Sequence, residues 1–197
     1  MSQAKSVNIV PLTSEWWAEF ETLMGPKGGY GGCWCMLWRQ SKSDYDKNLG
    51  ARNRLAMKEL AAGGRAPGLL ACQDSQPIGW ISIAPRLEFP RLETSRVLKP
   101  VDDQDVWAVS CFLIAKSHRR RGIAVSMLMA ACDFAGECGG KIVEGYPISP
   151  TKRPYPVAYA WTGFEQVFKR AGFKEVARRS PTRPIMRRKL VENNDGN

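Results

Sequence analysis

The sequence predicts one α/β domain on a mixed, mostly antiparallel central sheet with a single parallel β-α-β crossover, flanked by helices. Three observations predict it. Val106–Ile114 (VWAVSCFLI) is β-branched and aromatic on both faces, as expected of a central strand covered on two sides. A basic turn and a helical stretch from Gly122 to about Gly136 then lead to a second apolar run, Lys141–Tyr146, so the two strands are joined by a crossover and lie parallel. The chain has 197 residues, 44% of them hydrophobic and 10% aromatic, which suits one packed core and excludes wholesale disorder. Residues 1–190 are expected to form the domain, and 191–197 (VENNDGN) a flexible tail.

The remaining elements follow in chain order. Val7–Val10 reads as a short first strand. Ser14 can cap a helix whose apolar residues Trp16, Trp17, Phe20, Leu23 and Met24 recur at helical spacing, with Gly25-Pro26 as its stop. A glycine-rich loop spans Gly25–Arg39, and a second helix is expected from about Asp44 to Ala62, ending at Gly63-Gly64. Leu69–Gln73 and Ile78–Ala84 flank the turn DSQP and read as a hairpin. Arg86–Asp105, with two prolines and several charges, reads as a loop. The Gly122–Gly136 helix is apolar nearly all round and is expected to be buried. Thr162 and Glu165 match a capping box; Phe164, Val167, Phe168 and Ala171 follow at i, i+3, i+4 and i+7, and Gly172 is placed to end the helix. Phe173–Arg179 and Ile185–Leu190 read as a closing strand pair.

The longest apolar stretch, Val106–Ala115, is too short to span a bilayer of about 30 Å as a helix, and the N-terminus lacks the apolar core of a signal peptide. A cytoplasmic protein without membrane association is expected. Cysteines 33, 35, 72, 111, 132 and 138 have no framework spacing and read as reduced thiols. No metal is expected, because the C-x-C pair has no second Cys/His pair at finger spacing. The net charge of +10 points to a polyanionic partner, either nucleic acid or a small molecule. It is unevenly spread: residues 169–189 hold nine Lys/Arg against Glu175 alone, which is +8 of the total.

Chemistry concentrates in FLIAKSHRRRGIAVS, Phe112–Ser126. The first N–H groups of a helix lack internal partners and carry the positive end of the helix dipole. Set beside Arg119, Arg120 and Arg121, they make a cradle for phosphate or pyrophosphate. Gly122 and Ala124 leave room for close approach, and Ser126 adds a hydroxyl. Neither a Walker P-loop nor a G-x-G-x-x-G fingerprint is present. A solvated basic turn is the alternative on spacing alone.

Arg119-Arg120-Arg121-Gly122-Ile123-Ala124 fits [RQ]-x-x-G-x-[GA], and in this respect the chain resembles the GNAT superfamily of acyl-CoA-dependent N-acyltransferases. The signature follows a strand and opens a helix. FKRAGFKEVAR, Phe168–Arg178, is similar to the family's helix–G-F–strand ending, so the resemblance covers most of the chain. It implies an N-acetyltransferase with acetyl-CoA as co-substrate. The pantetheine arm would lie in a V-shaped gap between the two parallel strands, with Phe112 and Ile114 offering backbone groups to pantetheine and thioester. Arg119, Arg120, Arg121, Gly122, Ile123, Ala124, Val125 and Ser126 would hold the pyrophosphate. An acceptor amine would attack the thioester directly, and these folds often pair as homodimers.

The pattern also departs from the family. The Tyr that often protonates the leaving thiolate is replaced by Phe168, and the Asn often found seven residues earlier by Trp161. Glu144 is the candidate base, as the only carboxylate in Lys141–Tyr146; solvent exposure or pairing with Lys141 is the alternative. Tyr146 and Tyr159 are candidates for the missing phenol, with packing as the alternative. His118 reads as a neighbour of the phosphate turn and Cys111 as part of the buried strand. Arg39 could meet an acceptor carboxylate or simply sit on the surface. Tyr30, Trp34, Trp38, Cys33 and Cys35 make the Gly25–Arg39 loop either an acceptor lid or packing over the sheet.

Three functions are thus carried forward: an N-acetyltransferase, a non-catalytic acyl-CoA-binding or sensing module, and a nucleic-acid binder. The third is the least expected, because the basic C-terminal segment lacks an RNA-binding signature and is poor in aromatics.

Overall fold

A computed structural model describes residues 6–150, 155, 156 and 159–190; the tail at 191–197 lies outside the described residues. The strands are β1 (Val7–Pro11), β2 (Gly68–Gln73), β3 (Gln76–Pro85), β4 (Trp107–Ile114), β5 (Ile142–Gly145), β6 (Lys174–Arg178) and β7 (Pro184–Lys189). They form one sheet in the order β1-β2-β3-β4-β5-β7-β6, in which β4 and β5 are parallel and every other neighbouring pair is antiparallel. The predicted mixed sheet and its crossover are therefore present, with β4 at the centre. The β2–β3 hairpin turns on Asp74 and Ser75, whose φ angles of 49° and 61° are those of a type I′ turn matched to strand twist.

The helices are α1 (Trp17–Met24), α2 (Lys42–Asn48), α3 (Ala51–Ala62), α4 (Pro90–Glu93), α5 (Ile123–Glu137) and α6 (Glu165–Arg170). Several differ from expectation. Ser14 opens a 3₁₀ turn, Ser14–Trp16, and α1 begins only at Trp17, without a side-chain cap. The single helix expected over Asp44–Ala62 is two, because Leu49 adopts an extended ψ of 136° between α2 and α3. Ser41 caps α2 by accepting from the Asp44 amide. The Arg86–Asp105 loop contains a 3₁₀ turn and α4.

α5 is one-sided rather than buried all round. Ile123, Met127, Leu128, Ala131, Cys132 and Ala135 are buried, whereas Met129 is 46% exposed. The buried face of α5 packs with Leu69, Ile81, Val109, Val143 and Phe168 on one side of the sheet. The opposite side carries two clusters. Trp17, Phe20 and Met24 of α1 join Trp34, Met36 and Met57 over Leu70, Cys72 and Trp80. Phe89, Leu92 and Leu98 cover Ala84, Ala108, Tyr146 and Ile185. Each fully buried large side chain contributes about 1.5–3 kcal/mol.

The capping box does not form. Phe164 occupies the N-cap position of α6, and Thr162 Oγ1 instead accepts a bond from Arg183 at 3.1 Å. Glu165 turns to Lys169 at 2.6 Å and Arg178 at 3.4 Å. The bond from Lys169, with help from Ser149 and Arg178, pulls its pKa down to about 2 from 4.5. A depressed folded-state pKa stabilises the fold above the unfolded value, and that contribution is lost as pH falls toward about 2. Thermal melts should therefore show Glu165→Gln losing less stability than the parent between pH 4.5 and 2. Equal losses would disprove this role of Glu165.

Candidate functional site

The site begins where β4 and β5 part. Their parallel pairing runs only from Trp107–Val109 to Val143–Gly145. On the other edge, the β3 register passes from Ile83↔Val109 to Ser82↔Cys111, leaving Ser110 as an extra residue in β4. Such a bulge bends the strand. Ser110 donates to Ser82 Oγ at 3.1 Å, satisfying both buried hydroxyls.

Beyond the divergence, residues 161–164 run between β4 and the chain that follows β5. The Phe112 amide donates to the Trp161 carbonyl at 2.5 Å, and the Ile148 amide to the Gly163 carbonyl at 2.8 Å. Ile148 and Phe164 form a parallel bridge. Phe168 lies beneath, fully buried, with its ring edge-on to Phe112 at 6.0 Å and to Phe173 at 5.1 Å. Gly145 permits this approach: a Cβ there would lie 2.1 Å from the Phe168 ring.

At the C-terminal end of β4 the chain makes the 3₁₀ turn Lys116–His118 and then the basic turn. Gly122 takes the left-handed conformation at φ 81° as the N-cap of α5, and Arg120 is left-handed at 62°. The Val125 and Ser126 amides both bond to the Gly122 carbonyl. The Ile123 and Ala124 amides stand at the first helical positions, where no intrahelical carbonyl is available. Arg119, Arg120, Arg121 and Ser126 are exposed around this end, and the Ile123 side chain anchors the helix in the core. The turn thus brings the first-turn amides, the positive end of the helix dipole and three exposed arginines together. Two backbone groups expected to face a ligand carry internal bonds instead: the Phe112 amide holds Trp161, and the Ile114 carbonyl accepts Arg119 Nε at 3.0 Å. His118 is half-buried, with Nδ1 2.9 Å from Ser117 Oγ.

Glu144 and Tyr146 are brought together, though not as free groups. Neither exposes surface. One carboxylate oxygen of Glu144 accepts from Arg86 at 2.8 Å and from the Tyr146 hydroxyl at 2.6 Å; the other accepts from Arg187 Nε at 2.6 Å. Arg86 also reaches Glu93 and the Tyr146 hydroxyl, and Arg187 reaches Asp102. Burial, then the adjacent Glu144 charge, pushes the Tyr146 pKa well above its usual value. Glu144 is therefore not solvent-facing, and its paired residue across the sheet is Arg187. Opposite charges at matched positions in two apolar strands were the sequence signal for this network, but it becomes readable only once β5 and β7 are known to be neighbours.

The other candidates also find places. The Arg39 side chain is buried, donates to Glu88 at 2.7 Å and to the Pro67 carbonyl at 3.0 Å, and stacks over Phe89, so it is not a free surface group. Within the Gly25–Arg39 loop, Trp34, Cys35 and Met36 are core residues, and only Tyr30 of the aromatics is well exposed, at 62%. The Trp34–Met36 part of the loop packs over the sheet. Tyr30 lies 5.7 Å from the Trp161 ring, which is 6.4 Å from Tyr159, so three aromatics gather beside the Phe112–Trp161 contact. Cys111 is half-buried against the Trp80 cluster.

Residues 32–145 match the acetyltransferase (GNAT) family. No curated protein matches the sequence. Among solved structures, the chain is similar to a GNAT-family acetyltransferase from Listeria monocytogenes, at 9% identity and a TM-score of 0.58, with 96% of this chain and 98% of that one covered. It is similar to the PaiA N-acetyltransferase of Thermoplasma acidophilum, solved with coenzyme A, at 15% identity and a TM-score of 0.53, covering 94% and 99%. Arabidopsis thaliana NAA60, solved with acetyl-CoA, matches at 11% identity and a TM-score of 0.51, covering 94% and 100%. At such identities the likeness is one of fold, and it agrees with the sheet order and the strand–turn–helix unit. Among the described residues no helix is long and apolar enough to cross a membrane. With the match spanning more than half of its length, the chain belongs to the GNAT family of acetyltransferases.

Proposed function

We propose that this protein transfers an acetyl group from acetyl-CoA to an amine by direct attack on the thioester. The observation that carries this reading is the end of α5. First-turn amides, the helix dipole and the exposed Arg119, Arg120 and Arg121 converge where β4 leaves the sheet. A pyrophosphate bound there would direct pantetheine back along β4 toward Phe112. The Phe112 amide would polarise the thioester carbonyl once it has exchanged its bond with Trp161; one such donor is worth about 10²–10³ in rate. The acceptor amine would enter beside Tyr30, Tyr159 and Trp161.

Glu144 and Tyr146 serve this reaction by holding β5 to β7 and to the Arg86 turn. Every oxygen of the pair is already engaged, so an amine proton passes to solvent rather than to them. A second reading, an acyl-CoA-binding module without turnover, is favoured by the absence of a hydroxyl at Phe168 and by the engaged Phe112 amide.

The double substitution Arg120→Ala/Arg121→Ala tests the cradle. Bonds to charged groups contribute about 1.5–3 kcal/mol each, so acetyl-CoA affinity measured by calorimetry should fall about tenfold or more. Thermal melting should hardly change, since both side chains are exposed. An unaltered dissociation constant would remove the pyrophosphate from this turn.

A further inference from the structure

Two cysteines far apart in sequence meet on the sheet face opposite α5. Cys35 Sγ lies 3.4 Å from Cys111 Sγ, and both are free thiols. Their contact is built, not incidental. Trp34 and Cys35 occupy the left-handed region at φ 47° and 58°, and the Met36 amide bonds to the Cys33 carbonyl, forming a type I′ turn that sets the Cys35 sulfur against β4. Trp80 Nε1 donates to the same sulfur at 3.1 Å and fixes it from the β3 side. Cys35 is buried, whereas Cys111 is half-buried.

We propose that Cys35 and Cys111 are a modification site, closing to a reversible disulfide when the protein meets a hydroperoxide. The more accessible Cys111 sulfur attacks the hydroperoxide; its O–O bond breaks, giving a sulfenic acid on Cys111 and an alcohol, or water from hydrogen peroxide. Cys35 sulfur then attacks Cys111 sulfur. The S–S bond forms, the S–O bond breaks, and the hydroxyl leaves as water with the Cys35 proton. Two thiols are oxidised and one hydroperoxide is reduced. The division of labour follows access: Cys111 is half-buried and can meet a hydroperoxide, whereas Cys35 is buried with its sulfur in contact behind it.

The bond would draw the two sulfurs from 3.4 Å to about 2.05 Å, tying the Gly25–Arg39 loop to β4 one residue before the Phe112 amide. The disulfide stands without the acetyl-transfer reading; its effect on turnover rests on that reading. A displacement of about 1 Å beside the reacting groups lowers turnover on the order of 10²-fold.

The experiment treats the full chain with hydrogen peroxide, alkylates the remaining thiols and maps peptides without reduction. The expected result is a Cys35–Cys111 cross-link, loss of two of the six thiols, and recovery with dithiothreitol. Cys33→Ser should retain the cross-link, and Cys35→Ser should abolish it. A Cys33–Cys35 link, intermolecular bonds confined to the exposed Cys138, or six intact thiols would overturn the proposal. Mapping of the unsubstituted protein decides the matter even where a variant fails to fold. Turnover of the oxidised form is measured separately, so a missing disulfide and a missing acetyltransferase activity give different results.

Discussion

Glu144→Ala should cost about 3–5 kcal/mol of stability, because it strands charges that the fold has already taken out of water. Glu144 is the acceptor shared by Arg86, Arg187 and Tyr146, and the carboxylate and both guanidinium side chains are largely or wholly buried. Truncation leaves two cations facing each other across an apolar layer, with only Glu93 and Asp102 at the rim to compensate. Urea unfolding measures the effect, and a double-mutant cycle with Arg187→Ala should show strong coupling, since the two residues face each other across β5 and β7. A carboxylate acting chiefly as a base would behave differently. Glu144→Gln would then keep the midpoint and remove the acidic limb of the kcat/KM–pH profile. We expect the opposite: a lower midpoint and an unchanged profile.

Phe168→Ala should be of similar size, about 3–5 kcal/mol, by the loss of a buried aromatic and the cavity left behind. Its ring touches β4 through Phe112, packs against Phe173 and lies against Gly145, so it joins α6 to both parallel strands. Denaturant titration should show a reduced midpoint for Phe168→Ala. A loss below about 1 kcal/mol would mean that the site collapses freely around the cavity. Phe168→Tyr probes the chemistry instead. An unpartnered buried hydroxyl costs about 1–3 kcal/mol, and a gain in turnover despite that cost would show that a proton donor to the leaving thiolate had been missing.

The β4–turn–α5–β5 unit was legible because several signals coincide there: a strand apolar on both faces, a basic turn, a glycine at the helix start, and a second strand after a crossover. Elsewhere a local signal competed with a tertiary one. The break at Leu49 has no proline; Gly50 follows at φ 84°, with its amide bonded to the Gly32 carbonyl of the glycine-rich loop. Thr162 could cap α6, but Arg183 offers its hydroxyl a stronger partner across the structure, and Glu165 finds two cations. The apolar outer face of α5 gave no hint of its exposure, since Met129 reads as core in sequence.

The basic C-terminal segment is the clearest case of composition misleading at a distance. Arg178 pairs with Glu175, Arg179 donates to the Lys99 and Pro100 carbonyls, and Arg183 reaches Thr162. Arg187 holds Glu144 and Asp102, and Arg188 donates to the Ala171 carbonyl. With Lys169 on Glu165, six of its nine basic side chains thus have partners within the chain, which weakens the case for a surface that tracks a phosphate backbone. The exposed charge at Arg119–Arg121 is smaller but stands at a helix end, where it can act on a ligand.

On the proposed function, the basic turn at the start of α5 holds acetyl-CoA for acetyl transfer to an amine. Incubating the protein with acetyl-CoA and a panel of amines, while following free CoA thiol and the acetylated amine by mass spectrometry, tests it most directly. The expected result is stoichiometric thiol and acetyl-amine for at least one acceptor, with the rate falling in Arg120→Ala/Arg121→Ala when acetyl-CoA is limiting. Tight acetyl-CoA binding with no thiol released on any amine would contradict it and leave the binding-module reading in its place.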